Sequence, residues 1–109
     1  MRALDIGSGS CYLTACMALL IFPQNENSNG LVVGLDCVKE LVEFGNQNLQ
    51  KFEYLSKLLS DGKIINKQGN GYNGDADNGP YNAIHIGAAV EGIFEKLKLM
   101  KFRNSADTD

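Results

Sequence analysis

A short apolar run, Ala3-Leu4-Asp5-Ile6, stops on Gly7-Ser8-Gly9-Ser10 and resumes as an apolar segment that reaches Phe22 just before Pro23. Few folds accommodate this order. Closely spaced glycines interrupt a strand, and a proline, which lacks an amide hydrogen, ends a helix. The segment therefore predicts a strand, a tight loop and a helix. After a polar loop from Gln24 to Gly30, Leu31-Val32-Val33-Gly34-Leu35-Asp36 is a nearly continuous apolar run, suited to a strand covered on both faces.

From Val38 the apolar residues Val38, Leu41, Val42, Leu49, Phe52, Leu55 and Leu59 recur near the 3.6-residue period, which predicts one helix from about Val38 to Leu59. Lys63 to Lys67 reads as a third strand, Gly69 to Pro80 as a turn-rich loop and Tyr81 to Ile86 as a fourth strand. Val90 to Met100 reads as a short helix, and Arg103 to Asp109 as a polar tail. Strands separated by helix-length returns imply a parallel sheet with right-handed crossovers. The predicted class is α/β, half of a Rossmann-like domain over residues 1–100, with a tail over 101–109.

A chain of 109 residues, 44% hydrophobic and 21% charged, has the composition for one core. A net charge of -3 provides no basic field for a nucleic-acid backbone or an anionic membrane surface. The apolar stretch from Cys11 to Phe22 is shorter than the roughly 20 residues that span a bilayer. With no leader pattern after Met1, a cytoplasmic protein with neither nucleic-acid nor membrane partners is expected. Cys11, Cys16 and Cys37 show no C-x-x-C spacing, so no metal site is expected and all three read as reduced, partly buried thiols.

In such a sheet ligands gather at the carboxyl ends of the strands. Gly7 and Gly9 would let the backbone approach a ligand closely, and the N–H groups of Ser8 to Cys11 would open the helix toward an anionic group. The pattern departs from G-x-G-x-x-G because Tyr12 takes the last place. A glycine turn with no ligand explains the loop equally well at this level. Asp36, ending the second strand, is placed to accept hydrogen bonds from both hydroxyls of a ribose, or to cap the helix that follows.

These residues resemble the protein-L-isoaspartate (D-aspartate) O-methyltransferase family, which reads A-L-D-V-G-S-G-S-G-Y-L-T, V-G-I-D-H-x-K-E-L-V, G-D-G and P-Y-D-A-I-H-V-G-A-A. The matching stretches are Ala3 to Thr14, Val33 to Val42, Gly69 to Gly71 and Pro80 to Ala89, the last being the most specific. The resemblance implies an S-adenosylmethionine-dependent methyltransferase core of about four parallel strands with flanking helices, incomplete at both ends. The family's substrate-binding segment, with its serine or threonine, precedes the first strand, and further strands follow the fourth. It also implies methyl transfer to the carboxyl of L-isoaspartyl or D-aspartyl residues in damaged proteins, the start of their repair. By position, Gly7 and Gly9 would face the methionine part of the cofactor, with Ser8 between them in the binding set. Asp36 would face the ribose with Cys37 beside it, and Asn70 with Gly71 would face the adenine.

Four of the chain's departures from the family pattern stand out. Cys11 stands for the third loop glycine, Asn70 for the aspartate of G-D-G, Asn82 for the aspartate of P-Y-D-A-I, and Tyr72 for a residue that is often arginine. No catalytic side chain is expected, because a carboxylate nucleophile is already ionised; His85 reads as a structural or substrate-contact residue. A competing reading from another class is a non-catalytic fragment that keeps cofactor binding, or contacts a protein or its own copy through the unpaired edge of the fourth strand. A nicotinamide-dependent oxidoreductase shares the glycine loop and the strand-end acid but not P-Y-N-A-I-H-I-G-A-A. Asn-Gly pairs at Asn29, Asn70, Asn73 and Asn78 read as turns. Deamidation of Asn70 would recreate Gly-Asp-Gly.

Overall fold

The computed structural model describes residues 1–23, 29–71 and 75–87. The elements are β1 (Arg2–Ile6), α1 (Tyr12–Ile21), β2 (Leu31–Asp36), α2 (Lys39–Gln50), α3 (Glu53–Ser60), β3 (Ile64–Gln68) and β4 (Ala83–Ile86). The predicted final helix and polar tail, Ala88 and Ala89, Tyr72, Asn73 and most of the loop from Gln24 to Gly30 lie outside the described residues.

All strand pairings are parallel and the order is β3-β2-β1-β4. The fold is the expected α/β sheet with flanking helices. β1 and β2 are central, which explains why β2 is buried along its whole length and reads as a continuous apolar run. Alternation divides the sheet into two faces. Leu4, Ile6, Val33 and Leu35 point to one, where Tyr81 packs with them. Val32 and Ile64 point to the other, against Cys11, Ala18 and Phe22 around α1 and Leu49, Leu55 and Leu58 of α2 and α3. Each fully buried aliphatic side chain of this kind contributes about 1.5–3 kcal/mol.

Where one helix is predicted from Val38 to Leu59, two form. Phe52 is extended (φ -114°, ψ 124°) and caps α3. The period is right within each half, but the phase changes at the break. Leu49, Leu55 and Leu58 reach the core, whereas Val38, Leu41 and Phe52 are exposed. A straight helix would have carried Phe52 inward and led the chain past the sheet; the break turns α3 back over β3. The fourth strand is also shorter than the predicted Tyr81 to Ile86. Tyr81 is fully buried, and Asn82 brackets the start of β1, accepting from Arg2 N at 2.7 Å through Oδ1 and donating its own N–H to Arg2 O at 2.7 Å. Among the described residues β4 forms one edge of the sheet.

Beneath the Tyr81 face lies a closed polar knot. The buried Asp75 carboxylate accepts from Lys67 Nζ at 2.7 Å, Asn78 Nδ2 at 2.7 Å and Tyr81 Oη at 2.9 Å, and Tyr81 also donates to the Asp75 carbonyl. Burial opposes the charged form of Asp75, but the Lys67, Asn78 and Tyr81 hydrogen bonds outweigh it and hold the pKa below the ordinary 3.8. Burial and the Asp75 contact push the Tyr81 phenol well above its ordinary value, so it remains a donor. A carboxyl group with a depressed folded pKa contributes stability above its unfolded value that is lost as pH falls toward the folded one. Urea midpoints for the parent should therefore fall on acidification below about pH 4, with a shallower acid limb in Asp75→Asn; parallel limbs would remove Asp75 from the account.

Candidate cofactor site

The glycine loop adopts conformations that its sequence permits and one that it resists. Gly7 and Gly9 have φ of 82° and 51°. Cys11, the N-cap of α1, has φ 67° and ψ 19°, a left-handed conformation that costs an L-residue roughly 1–2 kcal/mol. The place where the family carries glycine does require positive φ. Cys11 tolerates it because its side chain is buried between α1 and α2, where Gly45 leaves room. A Cβ on Gly45 would come within 2.5 Å of Cys11 Sγ and 2.9 Å of Gly9 O. Burial raises the Cys11 thiol above its ordinary value, so it is a packing group. Cys37, by contrast, is exposed rather than partly buried as expected.

The loop amides are spent within the fold. Gly7 N and Ser8 N donate to Leu35 O (2.7 and 3.1 Å), Cys11 N to Ser8 O (2.8 Å) and Gly9 N to Asp36 Oδ2 (3.0 Å). The expectation that Ser8 to Cys11 turn their N–H groups toward an anion is corrected for Ser8, Gly9 and Cys11. A pyrophosphate would find no nest of open amides here, unlike a dinucleotide site. Ser8 itself turns inward, its Oγ donating to Asn66 Oδ1 at 3.0 Å.

At the carboxyl ends of β1 and β2, Ile6, Gly7, Leu35, Asp36, Cys37, Asn70 and Gly71 line a cleft of about 140 Å³. Gly7, Asp36, Cys37, Asn70 and Gly71 are thus brought together, while Ser8 and Gly9 do not line this cleft. The volume is below the roughly 300–1,000 Å³ of a complete small-molecule site. Asp36 is 9% exposed. Each of its oxygens accepts one amide, Gly9 N on Oδ2 and Val38 N on Oδ1, both at 3.0 Å. The N-cap of α2 is Val38 and has no side-chain cap, so Asp36 braces the turn before that helix rather than capping it. A carboxylate has about four lone-pair positions, leaving one per oxygen for a diol. Gly71 has no room for a side chain, since a Cβ would sit 2.6 Å from Ile6 Cγ2. Apolar walls, a braced carboxylate and a side-chain amide fit a nucleoside.

The sequence reading missed a polar row under the loop. Register aligns His85, Asp5, Gly34 and Asn66 across β4, β1, β2 and β3 on the helix-covered face. Asp5, 1% exposed, accepts from Thr14 Oγ1 at 2.7 Å and meets His85 Nδ1 at 3.1 Å. Asn66 Nδ2 donates to Val42 O (3.1 Å) and Asn46 Oδ1 (3.3 Å) of α2. A Cβ on Gly34 would meet Asn66 Oδ1 at 2.7 Å, so the row closes only over glycine. An aspartate inside the apolar run Ala3 to Ile6 was the available signal, because a buried charge must have partners.

A family model described as "Protein-L-isoaspartate(D-aspartate) O-methyltransferase (PCMT)" matches residues 1–100. The chain belongs to this family. Among protein-L-isoaspartate O-methyltransferases, that of Caenorhabditis elegans is 45% identical over 96 residues, which cover 88% of this chain and 40% of the relative. Protein-L-isoaspartate O-methyltransferase 2 of Arabidopsis thaliana is 40% identical over 97 residues, 89% of this chain and 29% of that one. The chain thus spans well under half the length of these relatives. A solved structure of a putative protein-L-isoaspartate O-methyltransferase from Plasmodium falciparum, in complex with S-adenosyl-L-homocysteine, superposes with a TM-score of 0.70 at 36% identity, covering 88% of this chain and 46% of that one. By the resemblance, Asn70 stands in place of the aspartate of the family's Gly-Asp-Gly. Asn70→Asp should tighten S-adenosylhomocysteine binding about fivefold, on the order of 1 kcal/mol for a charged in place of a neutral acceptor. Calorimetric titration of the two proteins checks this, and equal affinities would separate residue 70 from adenine recognition.

Proposed function

We propose that the chain binds S-adenosylmethionine in the β1–β2 cleft and forms the cofactor half of an enzyme that methylates L-isoaspartyl and D-aspartyl carboxyl groups in damaged proteins. The observation that carries the reading is the convergence of Gly7, Asp36, Cys37, Asn70 and Gly71 on one cleft at the strand ends. Asp36 would hold the ribose hydroxyls, Ile6 and Leu35 would flank the nucleoside, and Asn70 with Gly71 would face the adenine. Gly7 and Gly9 would pass close to the methionine part, with Ser8 anchoring the loop from below. S-adenosylmethionine, when bound, supplies the methyl group as a sulfonium.

A substrate carboxylate oxygen would accept that carbon as the carbon–sulfur bond broke, with the electron pair left on sulfur and no proton moved. The chain's part is then positioning, which converts an encounter into a near-attack geometry. Damaged proteins bearing isoaspartyl residues are the partners this reading names, and the β4 edge is the surface on which a second copy would pair. Three free thiols, one of them exposed, suit a reducing, cytoplasmic setting. No described helix is long and apolar enough to cross a membrane.

The decisive experiment has two arms. Titration with S-adenosylhomocysteine should give saturable one-to-one binding. Labelled S-adenosylmethionine with an isoaspartyl peptide should give base-labile methyl ester that an aspartyl peptide does not. Binding without ester would leave a cofactor-binding module; absence of both would sink the proposal.

A further inference from the structure

The polar row ends in an oriented imidazole whose outward nitrogen the function above does not use. Asp5 is an acceptor on both oxygens. Oδ2 takes the Thr14 hydroxyl at 2.7 Å and Oδ1 lies 3.1 Å from His85 Nδ1. A carboxylate brings no hydrogen to that contact, so the proton between them belongs to Nδ1. The Asp5 side chain is 2% exposed and that of His85 46% exposed. One ring nitrogen is therefore fixed on a buried carboxylate, which α1 in turn locks through Thr14, and Nε2 faces outward in a set direction.

The imidazole lies near the glycine loop. A Cβ built on Gly87 would be 3.3 Å from Gly7 O and 3.5 Å from His85 Cε1. Gly7 lines the cleft with Leu35 and Asp36 of β2 and, on the side of β4, comes near His85. We infer that His85 Nε2 is a binding contact for the methyl-acceptor carboxylate, approaching over β4 while the cofactor enters over β2. This rests on the methyltransferase reading. Placed between buried Asp5 and an incoming carboxylate, the ring keeps Nδ1 on Asp5 and turns Nε2 to one acceptor oxygen. The second oxygen is left free to attack carbon. His85 touches the substrate without exchanging a proton in the reaction; Asp5 and Thr14 are positioning residues that act through it.

Two replacements separate this contact from a purely structural role, because asparagine can keep a donor near the Nδ1 position and glutamine one near Nε2. His85→Asn retains the Asp5 hydrogen bond and loses the outward donor. His85→Gln does the reverse. Each is compared with the parent by three measurements: thermal midpoint, S-adenosylhomocysteine affinity, and anisotropy binding of a fluorescent isoaspartyl peptide to the S-adenosylhomocysteine-loaded chain, with an aspartyl peptide as control.

The expected result is that His85→Asn keeps the parent's thermal midpoint and S-adenosylhomocysteine affinity but binds the isoaspartyl peptide roughly 10-fold or more weakly, the loss expected for a hydrogen bond to a charged group. His85→Gln is expected to melt lower yet hold the peptide better than His85→Asn. Peptide affinity in His85→Asn equal to the parent's, with S-adenosylhomocysteine binding intact throughout, overturns the His85 contact and leaves the methyltransferase reading standing. A parent that binds neither S-adenosylhomocysteine nor peptide overturns both.

Discussion

Asp36→Ala is expected to weaken S-adenosylhomocysteine binding by roughly 100-fold or more. In the proposed site two hydroxyl hydrogen bonds to a charged acceptor would be lost, each worth about 1.5–3 kcal/mol. The change also removes the acceptors of Gly9 N and Val38 N, which join the glycine loop to the turn before α2. A fall in stability of about 1 kcal/mol should accompany the loss. Asp36→Asn separates the two effects, since its single amide oxygen can serve one amide or one hydroxyl well but cannot serve all four donors. Calorimetric titration alongside urea unfolding measures both. An affinity unchanged in folded Asp36→Ala would remove the ribose from this carboxylate and with it the proposed orientation of the cofactor.

Gly45→Ala should destabilise the chain even though alanine is the better helix former. The substitution gains about 1 kcal/mol of helix propensity. Against that, the new methyl would sit 2.9 Å from the Gly9 carbonyl oxygen and 2.5 Å from Cys11 Sγ. The carbonyl belongs to the backbone and cannot rotate away, so α2 must lift from the loop, at a cost of about 1–3 kcal/mol or more for overpacking. A net loss of about 1 kcal/mol or more is expected. Cys11→Gly alone should be close to neutral, because relief of the left-handed strain offsets the loss of a buried sulfur and the added chain entropy. Together the two changes should cost at least about 1 kcal/mol less than their sum, the coupling expected of residues in contact. Urea unfolding of the four proteins closes the cycle. Strict additivity would show that Cys11 Sγ is not what meets residue 45.

Both predictions concern the junction of loop and helix, where the sequence was informative in one respect and silent in another. A tight loop at Gly7 and Gly9, where the backbone can approach a ligand closely, was legible from the glycine spacing, and both glycines take positive φ. The strain at Cys11 was not. Its φ follows from where α1 must begin to lie against Val32 and Ile64, and from space that a glycine 34 residues away provides. Asp36 was legible as a strand-end acid, while the fact that its oxygens already carry the Gly9 and Val38 amides was not. That bracing turns a flexible surface carboxylate into a fixed acceptor.

What the amino-acid order determined by itself is local: the run from Ala3 to Ile6 broken by glycine, the buried strand from Leu31 to Asp36, and the helical periods on either side of Phe52. Each rests on interactions within one or two turns of chain, where side-chain spacing and backbone sterics decide the outcome. The tertiary structure decided the rest. The turn at Phe52 depends on where β3 lies, and the pairing of Asp5 with His85 on an inter-strand register that joins residues 80 apart. Parallel register is set by packing between elements distant in sequence. For that reason the polar row that holds the loop, and the histidine at its end, emerged only when the strands were aligned.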